Sequence, residues 1–200
     1  PVFSKNSKGF TALIGLLKYQ EKVFSKKSIY DRIYNNYSIK SYNSIFGKEG
    51  FVYEDYLNYI INLTSSKEKI LMDISKSKRK KINKCIKEGI EVIEITDLLQ
   101  INDFYNCLEK NFERSKWTFP NISLFYNVFE YLVPKKMAIF HLARYNNSVI
   151  GGRVSLLYKE KIYAWFIGMD YQYKNLGVNT FLNWNVIEWG IENGFKEFDF

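Results

Sequence analysis

The stretch Tyr173-Lys174-Asn175-Leu176-Gly177-Val178-Asn179 is the part of this chain best suited to hold an anion. A strand is predicted before it, over 162–169, and a helix after it, over 180–193. A strand, a short Gly-bearing loop and a helix N-terminus direct free backbone amides and the positive end of the helix dipole toward one point. On this reading Lys174, Gly177, Val178, Asn179 and Thr180 form a donor-binding loop. Gly168, at the end of the strand, permits close backbone approach, and its N–H can polarise a reacting carbonyl. The plainer alternative is an ordinary helix start with Asn179 as its cap.

Other candidates are weighed the same way. Asp199 stands between Phe198 and Phe200. It is either a surface residue of an alternating strand or, facing a gap, a group that accepts the proton of an amine or positions an ammonium. Tyr163 and Trp165 are expected on one strand face, with Ala164 and Phe166 on the other. Either both pairs fill a core, or Tyr163 orders an acceptor and Trp165 stacks on a sugar or flanks an acyl arm. Lys76, Lys78, Arg79, Lys80, Lys81, Lys84 and Lys87 face one nearby acid, Glu88. They make a solvated helix face or a surface for phosphates. Arg79 is the preferred substrate-binding member, since a guanidinium engages phosphate or carboxylate through two bonds. His141, the sole histidine, reads as structural. No metal constellation, Ser/His/Asp set or GxxxxGK[ST] loop occurs, so hydrolase and NTPase readings have no residues to stand on.

The composition sets the frame for these groups. With 200 residues, 46% hydrophobic and 18% aromatic, the chain can bury a sizeable core. A formal charge of +8 favours polyanionic partners: RNA, phosphorylated cofactors or anionic lipid heads. Cys85 and Cys107 lack metal or CxxC spacing and read as reduced packing residues. No apolar run approaches the roughly 18 residues needed to cross a bilayer, which predicts a cytoplasmic protein. Pro1 in place of Met suggests a fragment.

The elements that must position the candidates follow in order. Residues 1–63 are weakly periodic, with strands expected near 10–17 and 22–24. Ser65 to Glu68 reads as a capping box, opening one helix through Ile70, Ile74, Ile82 and Ile86 that ends at Gly89. A strand over 90–95, a helix through Leu98 to Phe112, a loop over 114–120 and a helix over 123–132 come next. Three strands follow, 137–145, 148–158 and 161–169, joined by turns short enough for hairpins, the first of them Asn146-Asn147. The helix of 180–193 ends at Gly194, and a last strand is expected over 195–200.

That order of strand, two helices, three-strand meander, helix and strand resembles the GNAT acyltransferase fold. The run from Lys78 to Val92 and the tail from Asn179 to Phe200 resemble the FemAB-like branch of that superfamily, which includes Fem-type peptidyltransferases. The resemblance covers about 65–200 and implies an α+β fold, a mixed sheet with a central antiparallel meander, lacking a further helix and two strands at its C-terminus. It also implies that 1–64 is the remnant of a first GNAT-like domain. The expected activity is N-acyl transfer from a coenzyme A thioester or an aminoacyl-tRNA, with no permanently bound cofactor, to an amine of the kind found on peptidoglycan precursors. GNAT enzymes that use coenzyme A carry an Arg or Gln, after two residues a Gly, and two beyond that a Gly or Ala. Here Lys174, Gly177 and Asn179 stand at those places, and only the Gly matches. The departure favours an aminoacyl-tRNA donor, or a non-catalytic module that binds RNA or an anionic precursor. A further alternative is a domain held to an anionic membrane surface by the basic helix. Gly177→Glu is expected to abolish donor binding and leave the fold intact.

Overall fold

In the computed structural model, which describes residues 7–24, 43–55, 57–115 and 119–200, Leu13 and Leu17 are buried on one face of helix α1 (Ser7–Phe24). The strands expected over 10–17 and 22–24 are therefore replaced by a helix. A spacing of four brings both leucines to one side of a helical turn, where they cluster with Phe46 of helix α2 (Asn43–Lys48) and with Phe51. These elements belong to one compact unit, Pro1–Leu57, and the rest of the chain, Asn58–Phe200, to a second. The division falls ahead of the boundary expected at 64, because strand β1 (Ile60–Asn62) joins the sheet of the second unit.

Helix α3 (Lys67–Asp73) opens on Ser66, whose hydroxyl accepts from the Lys69 amide, so the cap lies one residue beyond the expected Ser65. The single helix predicted from there to Gly89 is two helices. Ile74 turns extended and α4 (Lys76–Lys87) begins after it. The break is held by Arg79, whose guanidinium donates to the carbonyls of Leu71, at 3.4 Å, Met72 and Ile74. Those are the carbonyls a helix end leaves without partners. Gly89, at φ +73°, closes α4 in the left-handed conformation, as expected.

The remaining elements run in the predicted order: β2 (Glu91–Glu94), α5 (Gln100–Ser115), α6 (Ile122–Leu132), β3 (Ala138–Tyr145), β4 (Ser148–Tyr158), β5 (Lys161–Met169), α7 (Val178–Glu192) and β6 (Glu197–Asp199). Part of the loop expected over 114–120 lies outside the described residues. Asn146 and Asn147 both take positive φ, which suits the tight hairpin joining β3 to β4. The six strands are ordered β1-β6-β5-β4-β3-β2, antiparallel except for β5 beside β6. This is the α+β architecture expected.

Helices cover both faces of the sheet. Ile139, Ala143, Ile150, Ile162 and Phe198 pack under α7 with Ile82 and Cys85 of α4. Phe140, Leu142 and Val154 pack on the other face against Phe104 of α5 and Phe125 of α6. Full burial of each Val, Leu, Ile or Phe side chain among them stabilises the fold by roughly 1.5–3 kcal/mol. Two adjacent glycines on β4 let both helices come close. A Cβ on Gly151 would lie 2.7 Å from Val178 of α7, and one on Gly152 would lie 2.7 Å from the Phe104 ring. Paired glycines in a strand mark such close approach, and here Gly151 sets the height of the α7 N-terminus above one face and Gly152 that of α5 above the other.

Candidate functional site

β6 pairs with β5 over three residues only. Lys161 lies opposite Glu197, Ile162 opposite Phe198 and Tyr163 opposite Asp199. From Ala164 to Met169, among the described residues, no strand lies on that edge of β5. Two residues past the last rung, β5 bulges. Val154 pairs with Phe166 and Ser155 with Ala164, which leaves Trp165 as the extra residue. A bulge interrupts the ladder and increases local twist, and it falls where β5 parts from β6. The result is a wedge whose one wall is an unpaired strand edge carrying backbone amides and carbonyls.

The candidate donor loop stands at the far end of β5. Asp170 starts a 3-10 turn (Tyr171–Tyr173), its carboxylate accepting from the Gln172 amide at 3.1 Å and from Lys110 at 2.8 Å. The Lys110 bond chiefly holds the Asp170 carboxyl below its ordinary range. Gly177, not Asn179, is the cap of α7, and the helix begins at Val178. The left-handed φ of +87° explains the shift, since the chain turns into the helix there at an angle glycine tolerates. No side chain caps α7, so its first amides, at Val178 and Asn179, keep their capacity for an anion, while the Thr180 amide donates to the Gly177 carbonyl at 3.0 Å. Lys174 is exposed, with its ammonium 4.4 Å from the centre of the Tyr171 ring.

The basic helix, singled out separately in the sequence, lies beside this loop. Lys84 of α4 donates to the Asn175 carbonyl at 3.1 Å, and the Cys85 thiol to the Leu176 carbonyl at 3.2 Å. Lys81 lies over Gly177, where a Cβ would sit 2.7 Å from the lysine Cβ. That contact, with the positive φ, corrects the expectation that Gly177→Glu would leave the fold intact. Burial lifts the Cys85 thiol to about 11 and the Cys107 thiol to about 12. Both are therefore protonated packing groups.

At the inner end of the wedge, Asp199 is buried, with 5% of its surface exposed. Its Oδ1 accepts from the Asn58 side-chain amide, and Oδ2 has no hydrogen-bond partner. Lys161 stands 3.9 Å from Oδ2 and 2.6 Å from Glu197. Glu197's hydrogen bond is the main reason the Lys161 ammonium titrates above its ordinary value. Tyr163 and Asp199, singled out separately in the sequence, thus come together as strand partners. The Lys161 ammonium also lies 5.9 Å from the Tyr163 ring centre.

The other candidates are placed elsewhere. The bulge corrects the expected alternation: Trp165 and Phe166 both lie against Phe125, with ring centres 6.2 and 5.2 Å away. Trp165 keeps 37% of its surface exposed along the open edge. Gly168 is packed against α5, and a Cβ there would lie 2.9 Å from the Leu108 backbone. Arg79 is committed to the end of α3, so its donors are spent on structure rather than aimed at substrate.

Sequence reasoning missed Arg153. It lies on β4, 1% exposed, with Nε donating to Ser155 at 3.0 Å, Nη1 donating to Asn183 of α7, and the guanidinium 5.1 Å from the Phe198 ring centre. Burial lowers it to about 10, which leaves it charged at neutral pH. His141, its cross-strand neighbour, is lowered to about 4 by burial and then by the Arg153 charge, so the imidazole is neutral. The available signal was one charged residue, an arginine, inside an otherwise uncharged strand stretch, Ile150 to Leu157. Asn58, which grips Asp199, left no signal.

Three comparisons bear on this geometry. The family model described as acetyltransferase (GNAT) domain matches residues 75–200. No curated protein matches the chain. Among solved structures, FemX covers 98% of this chain and 69% of its own, with a TM-score of 0.71 at 12% identity. The L-PGS of Bacillus licheniformis covers 72% of this chain and 43% of its own, with a TM-score of 0.53 at 13% identity. At such identities the likeness is one of fold. The family match takes in the meander, the wedge and the donor loop together, and the chain belongs to the GNAT acetyltransferase domain family.

Proposed function

We propose that this domain transfers an acyl or aminoacyl group from an activated donor to an amine, with the reacting carbonyl held in the wedge between β5 and β6. The observation that carries the reading is the three-residue β5–β6 pair that ends at Tyr163 and Asp199. The α7 N-terminus and the lysines of α4 flank the open end of β5. A phosphorylated donor meets the α7 amides of Val178 and Asn179 together with Lys81, Lys84 and Lys174. A coenzyme A thioester and an aminoacyl-tRNA both present phosphates to such a surface.

The transfer needs no metal and no covalent enzyme intermediate. The neutral amine attacks the carbonyl carbon, a C–N bond forms, and the bond from carbon to the thiol or ribose oxygen breaks. Nitrogen gives up one proton to Asp199, and the leaving group takes one up. Orientation and the backbone amides on the open β5 edge, those of Ile167 and Met169, stabilise the developing oxyanion. The N–H of Gly168 alternates in step with that of Asp170, which donates to the Ile150 carbonyl at 2.9 Å, and so turns toward β4, which corrects its expected role. Tyr163 orders the acceptor, and Trp165 flanks the acyl arm. The Fem-type resemblance puts amines of peptidoglycan precursors among the acceptors to test, in the cytoplasm, where both donors are made. Among the described residues no helix is long and apolar enough to cross a membrane.

The test is single-turnover acylation of an amine panel with acetyl-CoA and with aminoacyl-tRNA, using the native chain and Lys81→Glu/Lys174→Glu. Transfer from one donor, weakened about tenfold or more in the charge-reversed protein and at raised salt, supports the reading. Binding of either donor without any transfer supports instead a non-catalytic binding module, a reading favoured by Asn179 standing in the position of a Gly or Ala.

A further inference from the structure

Arg153 is a buried cation without a counter-charge. Its bonded partners are a hydroxyl and a carboxamide, its neighbour His141 is neutral, and Nη2 has no hydrogen-bond partner among the described residues. Among the described residues the one buried carboxylate, Asp199, points the other way. Phe198 faces the α7 side with Arg153, and the next residue of a strand faces the opposite side. Burying an unpaired charge is costly, and an apolar side chain of the same size would serve packing better.

The position of the guanidinium suggests its use. The sheet runs β6-β5-β4, so a side chain that starts on β4 and reaches Phe198 of β6 must cross β5. Ser155, which holds Nε, is the partner of Ala164, the first β5 residue beyond the last β5–β6 rung. The small alanine leaves the arginine room to lie across the strand. Its head therefore sits at the inner end of the wedge, on the α7 side, where the acyl end of a donor would arrive. We infer that Arg153 selects the acyl group by pairing its guanidinium with a carboxylate carried on that group, as in a dicarboxylic acyl donor. A neutral carbonyl would satisfy Nη2 but not the charge. A carboxylate satisfies both, and its two oxygens match the guanidinium fork. The inference rests on the proposed donor wedge.

The test compares succinyl-CoA with acetyl-CoA by isothermal titration calorimetry, and succinate with acetate by thermal shift, on the native chain and Arg153→Met. The native protein should bind succinyl-CoA about tenfold or more tightly than acetyl-CoA, and Arg153→Met should bring that ratio to about one. Arg153→Met should also melt at the same or a higher temperature, because it removes an uncompensated buried charge. A native ratio near one, or a ratio that survives in Arg153→Met, overturns the inference. If Arg153→Met fails to fold, Arg153→Lys serves in its place: loss of most of the preference supports the carboxylate fork, and an unchanged preference refutes it. If neither thioester binds, the donor reading fails on its own. The carboxylate site then stands only if succinate, and not acetate, raises the native melting temperature in an Arg153-dependent way, and falls otherwise.

Discussion

Tyr163 and Asp199 face each other on the last rung of the parallel β5–β6 pair, and beyond them β5 runs on paired with β4 alone among the described residues. Asp199 spends one oxygen on Asn58 and keeps the other for whatever enters the wedge. Asp199→Asn preserves the shape and removes the proton acceptor. Amine acylation at saturating donor should fall by about 10²–10⁴-fold, while donor affinity is retained. Equal turnover of the two proteins would remove Asp199 from the chemistry.

Gly177 carries a structural requirement beyond any donor. Its φ of +87° and the Lys81 side chain above it both penalise a Cβ. Gly177→Ala should lose about 1–2 kcal/mol from the left-handed backbone alone, read as a lower midpoint in urea unfolding. An unchanged midpoint would mean that the loop relaxes freely.

Arg79→Met separates stability from binding. Removing the guanidinium strands the end carbonyls of α3, at a cost of about 1–3 kcal/mol in unfolding free energy. The KM for donor and acceptor should stay within about twofold of native. A selective rise in KM with no loss of stability would return Arg79 to the substrate site.

His141 makes stability depend on pH. Its folded value of about 4 lies below the ordinary 6.5, so between those values the unfolded chain binds the extra proton. Stability from this group is complete above pH 6.5, declines as pH falls toward about 4, and levels off below. The loss is on the order of 3 kcal/mol. Urea unfolding across that range should show a shallower decline for His141→Phe than for the native chain. Parallel curves would place the titration elsewhere.

Local pattern carried most of the second unit. β-branched runs, paired asparagines at a hairpin and glycines beyond helix ends are signals written within a few residues, and β2 to β6 with α5 to α7 appear where those signals stand. Patterns that depend on distant partners misled. Residues 10–17 looked like a strand until Leu13 and Leu17 met Phe46. The helix after Ser66 looked continuous, because nothing near Ile74 announces that Arg79 will cap a break.

For the site, the chain's own order of residues determined that a Gly-bearing loop would join the last meander strand to a helix, and its resemblance to the GNAT fold set the strand of Tyr163 beside that of Asp199. Which of these groups meet was decided only by tertiary structure. The register of a three-residue pairing set Tyr163 against Asp199, one extra residue in β5 turned Trp165 and Phe166 the same way, and helix packing laid Lys81 on Gly177. Burial, too, belongs to the folded sheet: only there does Arg153 lose water on every side and gain no counter-charge, and no window of sequence encodes what lies across two strands.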